Sequence, residues 1–400
     1  MTTRRDMLKM LSAMAASVPA LSLLQGCAGG EAAAIPVNFE GRVLVIGAGA
    51  AGLAAGYMLS AYGVDVQILE ASPVFGGRVR KNDDLAEFPI DMGAEWIHED
   101  PVVLSELVQH TDDVTGSIDV ITYNPQTISS YSGGRMRSLN FGSAFYSEHK
   151  FKRTTWYDFL ETYIVPEIAD RIRYERPVVS IDYSGDTVVV TDASGATYEA
   201  ERVIVTVPVK ILQQGSIDFS PALPADKTRA IDKVFVPDGL KAFFRFSERF
   251  YPDLLVTGSP LQSDSYDRLF YDGAFRKDSP DNVLAFFCVG PVATQYTELG
   301  SDEAIAERLL EELDEMFDGQ ASANLIDVVV QNWSAEPHIQ GAYSYSHDGN
   351  ADDIIAALRA PVDGRVFFAG EATSHDNTAT VPGAMQSAYE MVERILRDNG

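Results

Sequence analysis

The stretch "VLVIGAGAAGLAAG", residues 43–56, joins an apolar run to three glycines and then to small helix-forming residues. Such a run before glycines is typical of a strand buried in a parallel sheet. Gly47, Gly49 and Gly52 form the pattern G-x-G-x-x-G, in which the glycines allow a sharp turn, a close pyrophosphate and tight packing of helix on strand. The stretch predicts a dinucleotide-binding turn, but it does not separate nicotinamide from flavin.

A second apolar run, "VDVQILE", supports the dinucleotide interpretation, because it ends at Glu70, 23 positions after Gly47. A carboxylate there can accept hydrogen bonds from the adenosine ribose. The intervening helix is expected to end at Gly63. Its N-terminus, around Ala51, would present N–H groups and the positive end of the helix dipole to the phosphates.

The length and composition of the chain indicate what kind of protein it is. A length of 400 residues with 46% hydrophobic residues predicts a globular enzyme of two domains. The net charge of −27 disfavours a nucleic-acid partner, and it suits either cationic small molecules or a solvated acidic shell. The two cysteines, Cys27 and Cys288, form neither a disulfide framework nor a zinc spacing, so no metal site is expected, and Cys288 is predicted to be a buried thiol.

The first 27 residues are typical of a targeting segment. Arg4 and Arg5 precede an apolar stretch that is too short to span a bilayer, so they resemble a twin-arginine export signal. The sequence "LLQGC" resembles a lipoprotein box with Cys27 as the acylated residue; the alternative is a plain cleaved signal with an incidental cysteine. Residues 28–40 are predicted to be a linker. The sequence therefore predicts a periplasmic protein, or one anchored by Cys27 on the outer side of the cytoplasmic membrane.

After Glu70 the chain departs from the order expected of a nicotinamide dehydrogenase. The turn "ASPVFGGRVR" is followed by the blocks "DMGAEWIH" (91–98), "RPVVSI" (176–181), "RVIVTVP" (202–208), "GLKAFFRF" (239–246), "NWSAEPHIQGAYSY" (332–345) and "VFFAGEATS…TATVPGAMQSA" (366–388). Through these blocks the chain resembles the flavin-containing amine oxidases, the family of monoamine oxidases, polyamine oxidases and flavin-dependent histone lysine demethylases.

The resemblance implies an α/β fold with a discontinuous, Rossmann-like FAD-binding domain, formed by residues 41–98, 167–221 and 341–400. A smaller α+β substrate domain would come from residues 99–166 and 222–340. Only about 70 residues separate the block at 91–98 from the next FAD-binding piece, which is short for this family. Part of the helical substrate domain is therefore expected to be missing.

The resemblance also implies the cofactor and its site. FAD should be noncovalent, because Ala342 occupies the position of the flavin-linking cysteine. Val178 would contact adenine through its backbone, Arg78 would reach phosphate or the flavin edge, and Glu371 would accept from ribityl or ribose hydroxyls. The residues predicted to bind FAD are Gly47, Gly49, Ala51, Gly52, Glu70, Ala71, Gly77, Arg78, Gly93, Ala94, Glu95, Trp96, Val178, Trp333, Gly370, Glu371, Thr380 and Val381.

The implied reaction is hydride transfer from the α-carbon of an amine to flavin N5, followed by reoxidation with O₂ to H₂O₂. The resemblance makes Lys241 the lysine that holds a water at N5 and makes Tyr343 the aromatic wall beside the flavin. The strand "GLKAFFRF" is expected to alternate, with Lys241, Phe243 and Arg245 on one face and Leu240, Ala242, Phe244 and Phe246 on the other. Thr380 stands where monoamine oxidases carry a second tyrosine. His98 ends the block at 91–98, near the expected cavity, where it could sense pH. The expected partners are an amine and O₂.

Two alternatives remain open from the sequence. An L-amino-acid oxidase would need an arginine for the substrate carboxylate, and no arginine occurs between Arg80 and Arg135. A non-catalytic FAD-binding scaffold would explain the shortened substrate domain. The chain has no second G-x-G-x-x-G on a strand and helix, so an oxidase is favoured over a reductase that uses NAD(P)H.

Overall fold

The structure is a computed structural model that describes residues 35–108, 114, 118–139, 147–257, 268–347 and 349–398. The predicted export signal, Cys27 and most of the linker lie outside the described residues, so these stay predictions. None of the helices in the described part of the chain is long and apolar enough to cross a bilayer.

The strands alternate with helices through the first part of the chain and dominate its middle. They are β1 (Arg42–Ile46), β2 (Asp65–Leu69), β3 (Lys81–Asn82), β4 (Ile90–Asp91), β5 (Trp96–Ile97), β6 (Val120–Tyr123), β7 (Ile128–Ser132), β8 (Arg135–Leu139), β9 (Glu148–Phe151), β10 (Ile172–Arg173), β11 (Val178–Asp182), β12 (Val188–Asp192), β13 (Thr197–Ala200), β14 (Arg202–Val205), β15 (Asp218–Ser220), β16 (Val234–Phe235), β17 (Gly239–Phe246), β18 (Leu254–Thr257), β19 (Arg268–Asp272), β20 (Asn282–Val289), β21 (Leu325–Asn332), β22 (Ser346–His347) and β23 (Val366–Phe368).

The helices include two long ones near the chain ends, which pack against each other. They are α1 (Ala50–Ala61), α2 (Val103–Leu107), α3 (Trp156–Tyr163), α4 (Val209–Gln213), α5 (Ala225–Lys233), α6 (Pro291–Thr297), α7 (Asp302–Met316), α8 (Gln320–Asn324), α9 (Ala351–Arg359) and α10 (Val381–Arg397), with 3₁₀ turns at Val165–Glu167, Ala169–Arg171 and Glu371–Thr373.

A five-stranded parallel sheet, in the order β10-β2-β1-β14-β23, forms the first layer of the molecule. Its strands alternate buried side chains between two faces, as the twofold period of a strand requires. One face packs on α1 and α10, and the other packs on the four-stranded sheet β13-β12-β11-β15. This Rossmann-like arrangement confirms the predicted α/β fold class. The expected end of the first helix is confirmed as well, because Gly63 follows α1 with φ +74°.

A seven-stranded sheet, in the order β21-β17-β20-β19-β18-β7-β8, forms the second large layer. Its pairs are antiparallel except for β7 with β18. The predicted alternation in β17 is confirmed: Leu240, Ala242, Phe244 and Phe246 face a core that includes α7 and the buried Cys288. Phe243 faces the opposite core, which contains residues 85–92 of the cofactor-binding region. That second face is the one that carries Lys241.

The strands of the parallel sheet come from residues 42–69, 172–173, 202–205 and 366–368, while those of the seven-stranded sheet come from 128–139 and 239–332. The chain thus leaves and re-enters the parallel sheet three times. The domain boundaries at 98, 166, 221 and 340 stay predictions. Two small sheets cross them, because β5 pairs with β9 and β16 pairs with β22.

Candidate active site

The glycine-rich turn forms a cradle at the carboxyl end of β1. A Cβ on Gly52 would lie 1.8 Å from the carbonyl oxygen of Gly47, so only glycine permits this approach of α1 to the strand. The amide of Gly47 donates to the carbonyl of Leu69 at 2.8 Å. Helix α1 begins after Gly49 without a hydrogen bond from any described capping side chain. Its first N–H groups are therefore suited to a pyrophosphate, and the turn fits a dinucleotide.

Glu70 lies at the carboxyl end of β2, beside this cradle. Its carboxylate is buried and accepts from the backbone amides of Ala48 at 2.6 Å and Ser72 at 2.8 Å. These bonds fix the side chain between the turn and Ala71, at the place where the ribose is expected. Val178 starts β11, where a register shift interrupts its pairing with β12. The contact of Val178 with adenine stays a prediction.

The carboxylate of Glu371 accepts several hydrogen bonds at the end of the predicted cofactor site away from Glu70. It accepts from the Arg78 guanidinium at 3.0 Å, the Ser344 amide at 3.1 Å and the Ala379 amide at 3.1 Å, and also from the Ser344 hydroxyl. Arg78 additionally donates to the carbonyl of Ala342 at 2.9 Å. The structure therefore shows both predicted cofactor ligands bonded to the protein, and their contacts with FAD stay predictions.

The open space at this end is bounded by glycine and by a helix N-terminus. A Cβ on Gly370 would meet no atom within 4 Å. Thr380 caps α10: its hydroxyl accepts from the Gly383 amide at 3.0 Å and donates to the Asn377 carbonyl at 2.9 Å. The helix begins at Val381, as predicted. Its dipole is suited to the negative charge that reduced flavin carries.

The segment 91–96 joins the cofactor cradle to the seven-stranded sheet. Its Ala94 amide donates to the carbonyl of Arg78 at 3.3 Å, and Arg78 follows Gly77 in the turn formed by residues 71–80. A Cβ on Gly93 would lie 1.8 Å from that same carbonyl oxygen and 2.9 Å from the Trp333 ring. Trp333 is buried and donates its indole N–H to the Met92 carbonyl at 3.2 Å. The blocks at 91–98 and 332–345 therefore meet, and Met92, Gly93 and Trp333 form one wall of the predicted cofactor site.

Lys241 reaches this wall from β17, the strand next to the edge strand β21 of the seven-stranded sheet. Its Nζ lies 2.7 Å from Oε2 of Glu95 and 3.3 Å from the backbone carbonyl oxygen of Asp91. Both side chains of the ion pair are buried. These two acceptors leave one N–H of the ammonium without a hydrogen-bond partner among the described residues, so it is suited to hold a water. The structure brings Lys241, Glu95, Gly93 and Trp333 together, although they come from three separate blocks of the sequence.

Glu95 has two further partners that the sequence did not indicate. Its Oε1 accepts from Lys150 Nζ at 3.1 Å, and its Oε2 accepts from the Tyr271 hydroxyl at 2.5 Å. Lys150 is 1% exposed and also donates to the Gly273 carbonyl at 3.3 Å. Its ammonium lies 5.4–5.7 Å from the centroids of three rings, those of Trp96, Tyr123 and Tyr271. These contacts compensate the burial of a cation.

The charged groups around Glu95 shift one another's pKa values. Burial opposes the ionisation of Glu95, yet the Lys241 and Lys150 ammonium groups lower the pKa of Glu95 to about 2. Burial and the neighbouring Glu95 carboxylate raise the pKa of Asp91 well above its usual value. Burial, together with the charge of Lys150, lowers the pKa of Lys277 to about 8. At neutral pH Glu95 is therefore ionised and serves two ammonium groups.

His98 lies apart from the Lys241 cluster. Its side chain is 46% exposed, and Nδ1 lies 3.2 Å from Oε2 of the buried Glu148. Although burial opposes the charged form, Glu148 raises the pKa of His98 above 6.5. The neighbouring Glu99 has both carboxylate oxygens buried without a hydrogen-bond partner in the described structure, and burial raises its pKa. This part of the wall is an acidic rim, formed by His98, Glu99 and Glu148.

Tyr343 is half-buried, and its ring lies 6.4 Å from that of Tyr345, which is exposed. Ala342 is buried and packs beside Gly239, at which a Cβ would lie 2.6 Å from the Ala342 Cβ. An alanine offers no sulfur for a flavin linkage, which agrees with noncovalent binding; that binding, and the place of Tyr343 beside the flavin, stay predictions.

The sequence missed Lys150, Tyr271, Glu148 and Ser344 as residues of the site. Lys150 and Tyr271 lie in β9 and β19, 55 and 176 positions from Glu95 in the chain. A tyrosine in "RLFYD" has the appearance of an ordinary core residue. The one available signal was the alternation in "EHKF", which places Glu148 and Lys150 on the same face of the strand.

Comparison with known proteins agrees with this geometry. Residues 157–396 match the family described as flavin containing amine oxidoreductase, and residues 45–111 match an NAD(P)-binding Rossmann-like domain. The chain is 27% identical to lysine-specific histone demethylase 1B of Mus musculus and 25% identical to lysine-specific histone demethylase 2 of Homo sapiens, over 90% of its own length in each case. It spans about half of those two proteins, 54% of each.

A relative of similar size is polyamine oxidase 3 of Oryza sativa subsp. japonica, with 27% identity over 88% of this chain and 89% of that protein. Among solved structures, putrescine oxidase bound to putrescine has a TM-score of 0.74 at 16% identity, covering 90% of this chain and 100% of that one. Cyclohexylamine oxidase from Brevibacterium oxydans has a TM-score of 0.73 at 17% identity, with coverages of 90% and 99%. These two likenesses show the fold.

The family match covers more than half of the chain, and the glycine cradle, Glu70 and the dipole of α10 fit the parts of FAD in chain order. The chain belongs to the flavin-containing amine oxidoreductase family, and its cofactor is FAD.

Proposed function

We propose that this protein is an amine oxidase. Bound FAD would supply the redox chemistry, namely removal of a hydride from the α-carbon of the amine and delivery of two electrons, with two protons, to O₂ to give H₂O₂. The amine leaves as an imine, which water hydrolyses to a carbonyl compound and a shorter amine or ammonia. The observation that carries the proposal is the position of Lys241, whose ammonium is fixed at 2.7 Å from Glu95 in the segment that adjoins the cofactor cradle.

The chain's own residues have distinct tasks in this proposal. Lys241 keeps a positive charge and a free N–H at the flavin side of the cavity, where both a water and developing negative charge would be stabilised. Tyr343 presents an aromatic face to an amine. Trp333 and Gly93 close the wall and exclude water from it. None of these groups needs to act as a nucleophile.

The acidic rim supports a substrate with a second positive charge. Glu99 carries two buried carboxylate oxygens that lack a partner in the described structure, and it adjoins His98 and the buried Glu148. An ammonium group could pair with Glu99 and so compensate its burial. Relatives named polyamine oxidase and a structure of putrescine oxidase bound to putrescine agree with a diamine or polyamine.

An anaerobic amine panel tests this proposal. Purified holoprotein is mixed with butylamine or with 1,4-diaminobutane, and bleaching of the flavin absorbance is followed. We expect faster bleaching or a lower KM for the diamine, and we expect Glu99→Gln to remove most of that preference. A flavin that no amine bleaches would contradict the oxidase and would support the non-catalytic scaffold instead. Bleaching by L-amino acids alone would support the L-amino-acid oxidase.

We also infer that the protein is exported with FAD already bound. The twin-arginine-like segment supports this, because such signals are associated with export of folded proteins, and a flavin is acquired in the cytoplasm. Substitution of Arg4 and Arg5 by lysine should retain the protein inside the cell, and Cys27→Ser should abolish labelling by a radioactive fatty acid. Unlabelled Cys27 in the exported protein would indicate the plain cleaved signal.

A further inference from the structure

The carboxylate of Glu95 is shared by two buried ammonium groups, which is an unusual arrangement beside a redox cofactor. Its two oxygens lie 2.7 Å from Lys241 Nζ and 3.1 Å from Lys150 Nζ. The side chains of both lysines are 5% exposed or less, and that of Glu95 is 7% exposed. Water screens such charges poorly, so each one acts over a longer distance than it would at the surface.

We propose that Glu95 is a positioning residue: it fixes Lys241 against the cofactor wall and, together with Lys150 and Tyr271, sets the net charge that the flavin experiences. This inference rests on the proposed function, since it assumes that FAD occupies the cradle. The Glu95 carboxylate acts through its three partners in this arrangement, because its oxygens accept from Lys241, Lys150 and Tyr271.

Lys150 contributes a positive charge whose position does not depend on Glu95 alone. Lys150 is held by three aromatic rings and by Gly273 as well as by Glu95, so its ammonium stays in place when the carboxylate is neutralised. Glu95, Lys150 and Lys241 carry one negative and two positive charges, a net charge of +1 for the three. Asp91 and Lys277 flank them: the Glu95 carboxylate raises the pKa of Asp91, and the Lys150 ammonium lowers the pKa of Lys277. The titration of these two groups therefore opposes part of each charge change, and all variants are compared at one fixed pH.

The test is the two-electron midpoint potential of the bound flavin, measured by equilibration with a reference dye. Positive charge stabilises reduced flavin, so the potential should follow the charge of the three residues. We expect Glu95→Gln to shift it to a more positive value and Lys150→Met to a more negative value. The double variant Glu95→Gln/Lys150→Met has the wild-type net charge and should return close to the wild-type potential.

Lys152→Met is the matched control, because Lys152 lies two residues from Lys150 but pairs with the exposed Asp278. Its potential should equal that of the wild type. Potentials that are equal in all variants, or that do not follow the order of charge, would overturn the proposal. If Glu95→Gln does not fold, the midpoint potentials of Lys150→Met and Lys152→Met are compared instead. Equal potentials in these two variants would overturn the proposal.

A second measurement separates this inference from the proposed function. A wild-type chain that takes up no FAD would contradict the proposal that the protein is an amine oxidase. The interaction between Glu95 and Lys241 can still be measured in that case, from the free energy of unfolding of the FAD-free protein in urea. Glu95→Gln, Lys241→Met and the double variant form a thermodynamic cycle. We expect the double variant to be destabilised less than the sum of the single ones. Additive losses would show that Glu95 does not hold Lys241.

Discussion

Glu95 Oε2 lies 2.7 Å from Lys241 Nζ, although 146 residues separate the two in the chain. The pair joins a segment beside the cofactor cradle to β17 of the seven-stranded sheet. Breaking a buried pair by removing one partner leaves the other charge uncompensated, which costs about 3–5 kcal/mol. The pair therefore contributes to holding the segment 91–96 against β17.

Substitution of Lys241 by Met should slow the reoxidation of reduced flavin by O₂ at least about tenfold, because it removes a preorganised charge where negative charge develops. Stopped-flow mixing of the reduced protein with aerated buffer measures this rate. Lys152→Met serves as control, since Lys152 pairs with the exposed Asp278 and not with Glu95. An unchanged rate in Lys241→Met would indicate that this lysine has no role at the flavin.

Acid should weaken the fold partly through Glu95. Its pKa is about 2 in the folded chain against a usual value of 4.5, so the folded state favours the ionised form. A lowered pKa contributes stability that is present above pH 4.5 and is lost as the pH falls from about 4.5 to about 2. The full effect is on the order of 3 kcal/mol.

The free energy of unfolding from urea titrations at a series of pH values measures this effect. Glu95→Gln should be less stable than the wild type at neutral pH and should lose less stability on acidification. Asp186→Asn, which changes an exposed carboxylate, provides the control. Parallel curves for the wild type and Glu95→Gln would mean that the carboxylate is not held in its ionised form.

The cofactor cradle was predictable from the sequence because its parts are local. Gly47, Gly52 and Glu70 lie within one strand–helix–strand unit, and the chemistry of each position is decided by its neighbours in the chain. The alternation in β17 likewise placed Lys241 on the face opposite Leu240 and Phe244, which the two cores confirm. The order of the blocks was sufficient to predict the family.

The partners of Glu95 could not be predicted in the same way. Lys150 and Tyr271 reach it through strand pairings whose register depends on the whole sheet. The sequence also gave no sign that Arg78 and Glu371, both predicted as cofactor ligands, pair with each other across 293 residues. Such contacts are fixed by tertiary packing, which a single sequence does not specify.

The pH should affect amine binding through His98. Glu148 raises the pKa of His98 above 6.5, so the imidazolium persists near neutral pH at the acidic rim. A protonated His98 repels a cationic amine. The KM for 1,4-diaminobutane should therefore fall as the pH rises through the raised pKa in the wild type, and this dependence should be weaker in His98→Gln. Identical KM profiles in the two proteins would remove His98 from the substrate path.

Substitution of Gly52 by Ala should abolish FAD retention. The added Cβ would lie 1.8 Å from the Gly47 carbonyl oxygen, so α1 must move away from the strand and the amides of its first turn must leave the cradle. The ratio of flavin absorbance to protein absorbance after gel filtration measures retention. Gly185→Ala is the matched control, because a Cβ there would lie 3.7 Å from its nearest atom, Thr187 O, and its φ is not in the left-handed region. We expect Gly185→Ala to keep the wild-type ratio, whereas a flavin-loaded Gly52→Ala protein would place the pyrophosphate somewhere other than the N-terminus of α1.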